Sequence, residues 1–221
     1  MIQGQFELPF VFQAFAVFLL AITGATLAIE KKYDFSGVFV LAFIAGAGGS
    51  IIRDGIFLNR IPVLVTQWEY LVVIILASIV TVIFINYIKR ITTVFVAIDA
   101  LGLGIYGIIS AQMAINSNLN ILVAILVGLV GAVSGGFLRD IFTNTEPLLL
   151  KPGQYYIIAS LAGIVLFILL SIYAGIHAQT AAIPAIVLVF ALRMLSYVFN
   201  WRTAPAINIS QKIFKNRDES K

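Results

Sequence analysis

The chain has no cysteine among its 221 residues, which removes disulfide frameworks and thiolate chemistry from consideration. It has one histidine, His177, too few for a histidine-rich zinc site, and no metal site is expected. HExxH, GxSxG and paired catalytic aspartates of recognised spacing are all missing, so no enzymatic activity is expected. Charge is scarce at 11% of residues, whereas hydrophobic residues make up 61% and mean hydropathy is +1.06. A soluble domain of this size could not hide so much apolar surface. The chain reads as an integral membrane protein, with no organic cofactor and no nucleic-acid partner expected.

Crossing about 30 Å of hydrocarbon takes about 20 helical residues. Cutting at polar and turn-rich clusters gives seven spans of that order, roughly 8–29, 37–58, 68–88, 93–115, 121–143, 155–176 and 181–201. The first is too long for a signal-peptide core and is read as a retained helix. Short connections, such as Glu30 to Asp34 and Asn116 to Asn120, make consecutive spans antiparallel neighbours. Lys31, Lys32, Lys89, Arg90, Lys151 and the basic tail from Arg202 to Lys221 fall on one face, and Arg60 alone lies outside the spans on the other. The positive-inside tendency then puts the C-terminus in the cytoplasm and the N-terminus outside. Trp68 and Tyr70 mark one interface, and Tyr33, Tyr87, Tyr155, Tyr156 and Trp201 the other.

An ungapped shift of 86 residues lays spans one to three on spans four to six, and Gly49, Arg53 and Asp54 fall on Gly135, Arg139 and Asp140. Residues 8–88 are therefore the first three-helix repeat and 93–176 the second, with 181–201 a seventh helix and 202–221 a basic cytoplasmic tail. Because each unit has an odd number of spans, the second copy enters from the opposite face, an inverted-topology repeat typical of transport proteins.

The repeated segments, GGSIIRD at 48–54 and SGGFLRD at 134–140, put arginine and aspartate at membrane depth twice, which is costly unless functional. Gly46, Gly48, Gly49 and Ser50 in span two, with Ser134, Gly135 and Gly136 in span five, are the candidate pore or hinge residues. Glycine clusters there can kink a span and turn freed carbonyls toward a hydrated path. The alternative is close helix packing, since Gly131 and Gly135 also have GxxxG spacing. Arg53, Asp54, Arg139, Asp140 and Asp99 are the candidate gating or pore charges. Neighbouring helical residues diverge by about 100°, so each arginine is expected to find its partner on another span. Asp99 is the candidate for Arg139, while Arg53 is left to Glu69 or water. A mobile arginine can also respond to membrane voltage. Arg193 is expected to snorkel toward lipid phosphates, and the tail to lie near anionic lipids.

With these two Arg-Asp segments, the IDALGLG opening of span four at 98–104 and the three-plus-three-plus-one arrangement, the chain resembles the trimeric intracellular cation channel (TRIC) family, prokaryotic type, over about residues 8 to 200. The resemblance implies an all-α seven-helix protein and a homotrimer with one pore per protomer. That pore is lined by helices two and five, kinked at their glycines, and conducts monovalent cations, chiefly K+ with some Na+. It also implies a prokaryotic plasma membrane, with bound lipids possible. Two departures stand out: GAGGS and VSGGF replace an unbroken glycine triplet, and no Lys-Glu-Val segment is present. A related group with the same duplicated motif transports small amino acids such as glycine, so a secondary carrier is the alternative.

Overall fold

The computed structural model describes residues 8–90, 92–150 and 155–201, and side chains of these except 88–90 and 92. Lys151 and the 202–221 tail lie outside the described residues. All regular structure among the described residues is helical: α1 (Phe10–Glu30), α2 (Phe35–Ile52), a short α3 (Val63–Thr66), α4 (Glu69–Arg90), α5 (Thr92–Asn116), α6 (Ile121–Phe142), α7 (Tyr156–Ile168) and α8 (Ala178–Val198). Two π turns, Arg53–Phe57 and Leu169–Tyr173, extend α2 and α7. Seven of these elements are long and apolar enough to cross a membrane, from Phe10–Glu30 to Ala178–Val198. They match the seven expected spans within a few residues. Their consecutive order gives three spans per repeat and one over.

Helices α1 and α5, the first of each repeat, occupy the centre. Each packs on the other and on two later helices of its own repeat, α1 on α2 and α4, α5 on α6 and α7, while α8 lies against α5 and α7. Small residues make this possible: Ala16, Ala21, Ala25 and Ala28 on α1 and Ala100, Ala111 and Ala114 on α5 are fully buried. Without a hydrophobic drive between helices in lipid, close backbone approach supplies the packing. Large apolar side chains such as Ile75, Leu76, Ile79, Val82 and Ile83 on α4 point outward instead, as lipid-facing positions require.

The repeat extends to the helix caps. The Asp34 carboxylate accepts from Gly37 N at 2.8 Å, and the Asn120 side chain accepts from Val123 N at 2.9 Å. These residues are 86 apart, like the two arginines. Each cap meets an otherwise orphaned amide at the start of α2 or α6. Alanine at either position is expected to cost about 1 kcal/mol, read as a lowered unfolding midpoint of the detergent-solubilised protein, whereas serine at either should recover most of the loss.

Candidate functional site

The lane between the repeats is the crossing of α2 and α6. A methyl group on Gly49 would lie 2.6 Å from the Gly131 carbonyl oxygen and 3.0 Å from the Tyr106 ring. One on Gly135 would strike the Ala45 carbonyl oxygen and come within 3.6 Å of Leu20. Shifting Gly49, Gly131 and Tyr106 by 86 residues gives Gly135, Ala45 and Leu20, so the crossing obeys the repeat. A methyl group on Gly48 would lie 2.7 Å from the Leu138 side chain, and one on Gly136 would lie 3.0 Å from the Tyr156 hydroxyl.

The glycines therefore let two backbones touch. The α-helical pattern runs through both clusters, over Phe35–Ile52 and Ile121–Phe142, and the change of helical type in the first repeat falls just beyond them, at Arg53. The Gly46 carbonyl accepts a second hydrogen bond, from the Tyr106 hydroxyl at 3.2 Å. Ser50 donates back to Ala47 O at 2.8 Å and Ser134 to Val130 O, so both hydroxyls are occupied within their own helices.

A buried charge cluster lies beyond the crossing in each repeat. In the first, the Arg53 guanidinium grips Asp54 with two bonds, Nε to Oδ1 at 2.8 Å and Nη2 to Oδ2 at 2.9 Å. Asp54 also accepts from Arg60 Nη2 at 2.8 Å and from Val63 N at 3.1 Å. Arg53 and Asp54 are wholly buried, while the Arg60 side chain is 38% exposed. In the second, Arg139 Nε donates to Asp140 Oδ1 at 2.9 Å. Its Nη1 donates to Thr23 Oγ1 at 2.8 Å and Asp99 Oδ1 at 3.2 Å. Asp140 accepts from Leu148 N at 3.2 Å. Buried ion pairs of this kind offset their desolvation only when the remaining donors and acceptors are met.

The structure brings Arg139 and Asp99 together as the sequence led us to expect. It corrects the expectation that adjacent Arg and Asp cannot pair: both arginines close on the aspartate that follows them. The guanidinium sits several bonds from the backbone, so a 100° divergence at Cβ does not fix where it ends. Arg53 consequently bonds Asp54 rather than Glu69. Arg193 is also corrected. Its side chain is 3% exposed, its Nη2 is 3.7 Å from Asp99 Oδ2, and its guanidinium lies 4.7 Å from the Tyr156 ring centroid. Pairing with Asp99 holds it in protein rather than at the lipid headgroups.

Tyr156 was read from the sequence as an interface aromatic, and so was Tyr70. Both are buried, Tyr156 under Arg193 and Tyr70 within electrostatic reach of Arg53. They are 86 apart and identical, so the repeat shift itself carried the signal. Arg60 was read only as an exposed loop charge, and nothing in the sequence pointed it at Asp54.

The sequence matches the family model described as glycine transporter twice, over residues 10–86 and 96–171. It is 31% identical over 66% of its length, and 72% of theirs, to the inner membrane protein YadS of Escherichia coli. With the membrane protein YvgT of Bacillus subtilis it shares 26% identity over 84% of this chain and 90% of that one. The fold superposes on a TRIC trimeric intracellular cation channel orthologue from Rhodobacter sphaeroides with a TM-score of 0.80, 25% identity and coverage of 86% of this chain and 96% of that one. A second structure, solved for conductance through TRIC cation channels, gives 0.78, 28%, 88% and 95%.

Proposed function

The chain belongs to the glycine transporter family and has the fold of the prokaryotic TRIC channels, and from that premise we propose that it conducts monovalent cations, K+ and also Na+, across a prokaryotic plasma membrane. The observation that carries this reading is the likeness, over nearly the whole chain, to two solved cation channels. In our reading the protein is a homotrimer with a pathway in each protomer along the α2–α6 crossing. Gly46, Gly48, Gly49, Ser50, Ser134, Gly135 and Gly136 form its narrow middle, and the arrangement described above is a closed one. Arg53 with Asp54, and Arg139 with Asp140 and Asp99, stand at its two ends. Lipids surround the bundle, the N-terminus lies outside and the C-terminus in the cytoplasm, following the distribution of basic residues.

An arginine repels a passing cation, so the two arginines gate the path rather than select the ion, with their aspartates offsetting the repulsion. Arg53→Gln and Arg139→Gln are expected to change open probability at least severalfold and leave unitary current near its original size. Unitary current that falls while open probability stays fixed would reassign them to conduction.

The family description favours a second reading, a secondary carrier for glycine, since inverted repeats also serve alternating access. Purified protein in planar bilayers with asymmetric KCl separates the two. Discrete current events reversing near the K+ equilibrium potential support the channel. Absence of such events, with saturable and trans-stimulated glycine uptake in vesicles, supports the carrier.

A further inference from the structure

The 86-residue relation breaks just past Asp54 and Asp140. Leu58 N donates to Arg53 O at 3.0 Å, Arg60 N to Asp54 O at 3.0 Å and Val63 N to Asp54 Oδ2 at 3.1 Å. Their counterparts are Thr143 N to Arg139 O at 3.1 Å, Thr145 N to Asp140 O at 2.9 Å and Leu148 N to Asp140 Oδ2 at 3.2 Å. In all three pairs the acceptors lie 86 residues apart and the donors 85. The first repeat therefore holds one residue more, and the π turn Arg53–Phe57 takes it up. A single inserted residue of this kind often marks a functional position in a helix.

By this matching Arg60 stands where the second repeat has Thr145, and Leu58 where it has Thr143. The exchange alters how the loop is held. Thr143 Oγ1 donates to Arg139 O at 2.9 Å, Thr145 Oγ1 donates to Asp140 O at 3.1 Å, and the two hydroxyls lie 2.9 Å from each other. In the first loop the Arg60 side chain does the holding, with Nε and Nη2 reaching Asp54 Oδ1 at 3.1 and 2.8 Å and Nη2 also lying 3.1 Å from Met113 Sδ on α5. Phe57 and Leu58 pack on the cluster of Ala114, Ala124 and Val127 from α5 and α6. One part-exposed guanidinium thus ties the end of α2 to the other repeat.

Arg60 is also the arginine of the two clusters that can let go at least cost. Leaving Asp54 returns it to water, and Asp54 keeps both bonds from Arg53, so no unpaired charge is left buried. Part-exposed ion pairs are weak to begin with. Arg53, Arg139 and Arg193 are buried and have no such exit. We propose that Arg60 is the latch of the transport path, a reading that rests on the function proposed above. Its release from Asp54 and Met113 lifts residues 55–62 off α5 and α6, and this precedes any movement of the buried pairs. Arg60 is a positioning residue, acting through Asp54 and the loop.

Because the chain has no cysteine, a single introduced thiol reports on the loop without background. Purified full-length protein carrying Leu58→Cys is labelled with a water-soluble maleimide. The reference is Leu149→Cys, at a position that packs on the cluster of Leu103 and Tyr156. Arg60→Gln is expected to speed labelling of Leu58→Cys about tenfold, through a larger locally open population, and to leave Leu149→Cys unchanged. Arg60→Lys, which keeps the charge, should stay near the wild type. With Arg60 intact, added salt should speed Leu58→Cys alone, since screening reaches a part-exposed pair more than buried ones. This arm serves if Arg60→Gln does not fold. In vesicles Arg60→Gln should raise transport, read as current or tracer uptake, about threefold, whereas a purely structural loss would lower it along with the unfolding midpoint. A Leu58→Cys rate unmoved by substitution and by salt, equal acceleration at Leu149→Cys, or transport that falls with the unfolding midpoint would overturn the latch. A wild type that transports nothing overturns the proposed function instead, and labelling then decides alone whether Arg60 holds the loop.

Discussion

Replacing Asp99 with alanine is expected to lower the unfolding midpoint by about 10 °C, a loss on the order of 3–5 kcal/mol. The carboxylate is 1% exposed and lies 3.2 Å from Arg139 Nη1 and 3.7 Å from Arg193 Nη2. Without it two buried guanidinium groups share Asp140, and the uncompensated charge, more than the lost attraction, sets the size of the effect. Asp99→Asn should cost nearly as much, because it keeps the shape and loses the charge. Adding Arg193→Leu to Asp99→Ala should recover part of the loss, as it removes the charge left over. The four midpoints of this double-mutant cycle measure the coupling directly. A shift of only a degree or two for Asp99→Ala would mean that water already reaches the cluster.

The second large effect is at the crossing. Gly49→Ala and Gly135→Ala are each expected to reduce transport, read as current or as tracer uptake, at least tenfold. Alanine is ordinarily better than glycine inside a helix by about 1 kcal/mol. Here the added methyl meets a carbonyl oxygen, Gly131 for one and Ala45 for the other, and backbone cannot rotate aside as a side chain can. The helices must separate, at about 1–3 kcal/mol for an overpacked site, so the steric term exceeds the helix gain. Gly55→Ala, with no atom within 4 Å of the new methyl, is the control and should transport normally. Loss of function at Gly55 as well would disconnect the effect from the crossing.

Span number, span limits and the duplicated Arg-Asp segments were all legible in the sequence, because lipid demands long apolar helices and penalises buried charge. The Arg139–Asp99 pair was legible as well, from matching depth alone. The intimate pairs Arg53–Asp54 and Arg139–Asp140 were not, because helical-wheel reasoning follows Cβ directions and ignores the length of an arginine. Arg193 was misplaced for a related reason: depth along α8 was known, but not the side of the helix that faces α5. The glycines had two readings, kink and contact. Only the positions of Gly131 and Ala45 opposite them show how close the backbones come.

The two π turns end α2 and α7, the second and sixth spans, which cross in the same sense, so both lie at one rim of the bundle. Each closes with a bond reaching five residues back, Leu58 N to Arg53 O and Ala174 N to Leu169 O, both 3.0 Å. Wider turns of this sort are less regular than the α pattern and often occur where a protein works. That rim is therefore the softer end of the molecule. Its amides should exchange with deuterium sooner than those at the opposite ends of the same two helices, and breathing motions should start there and spread inward.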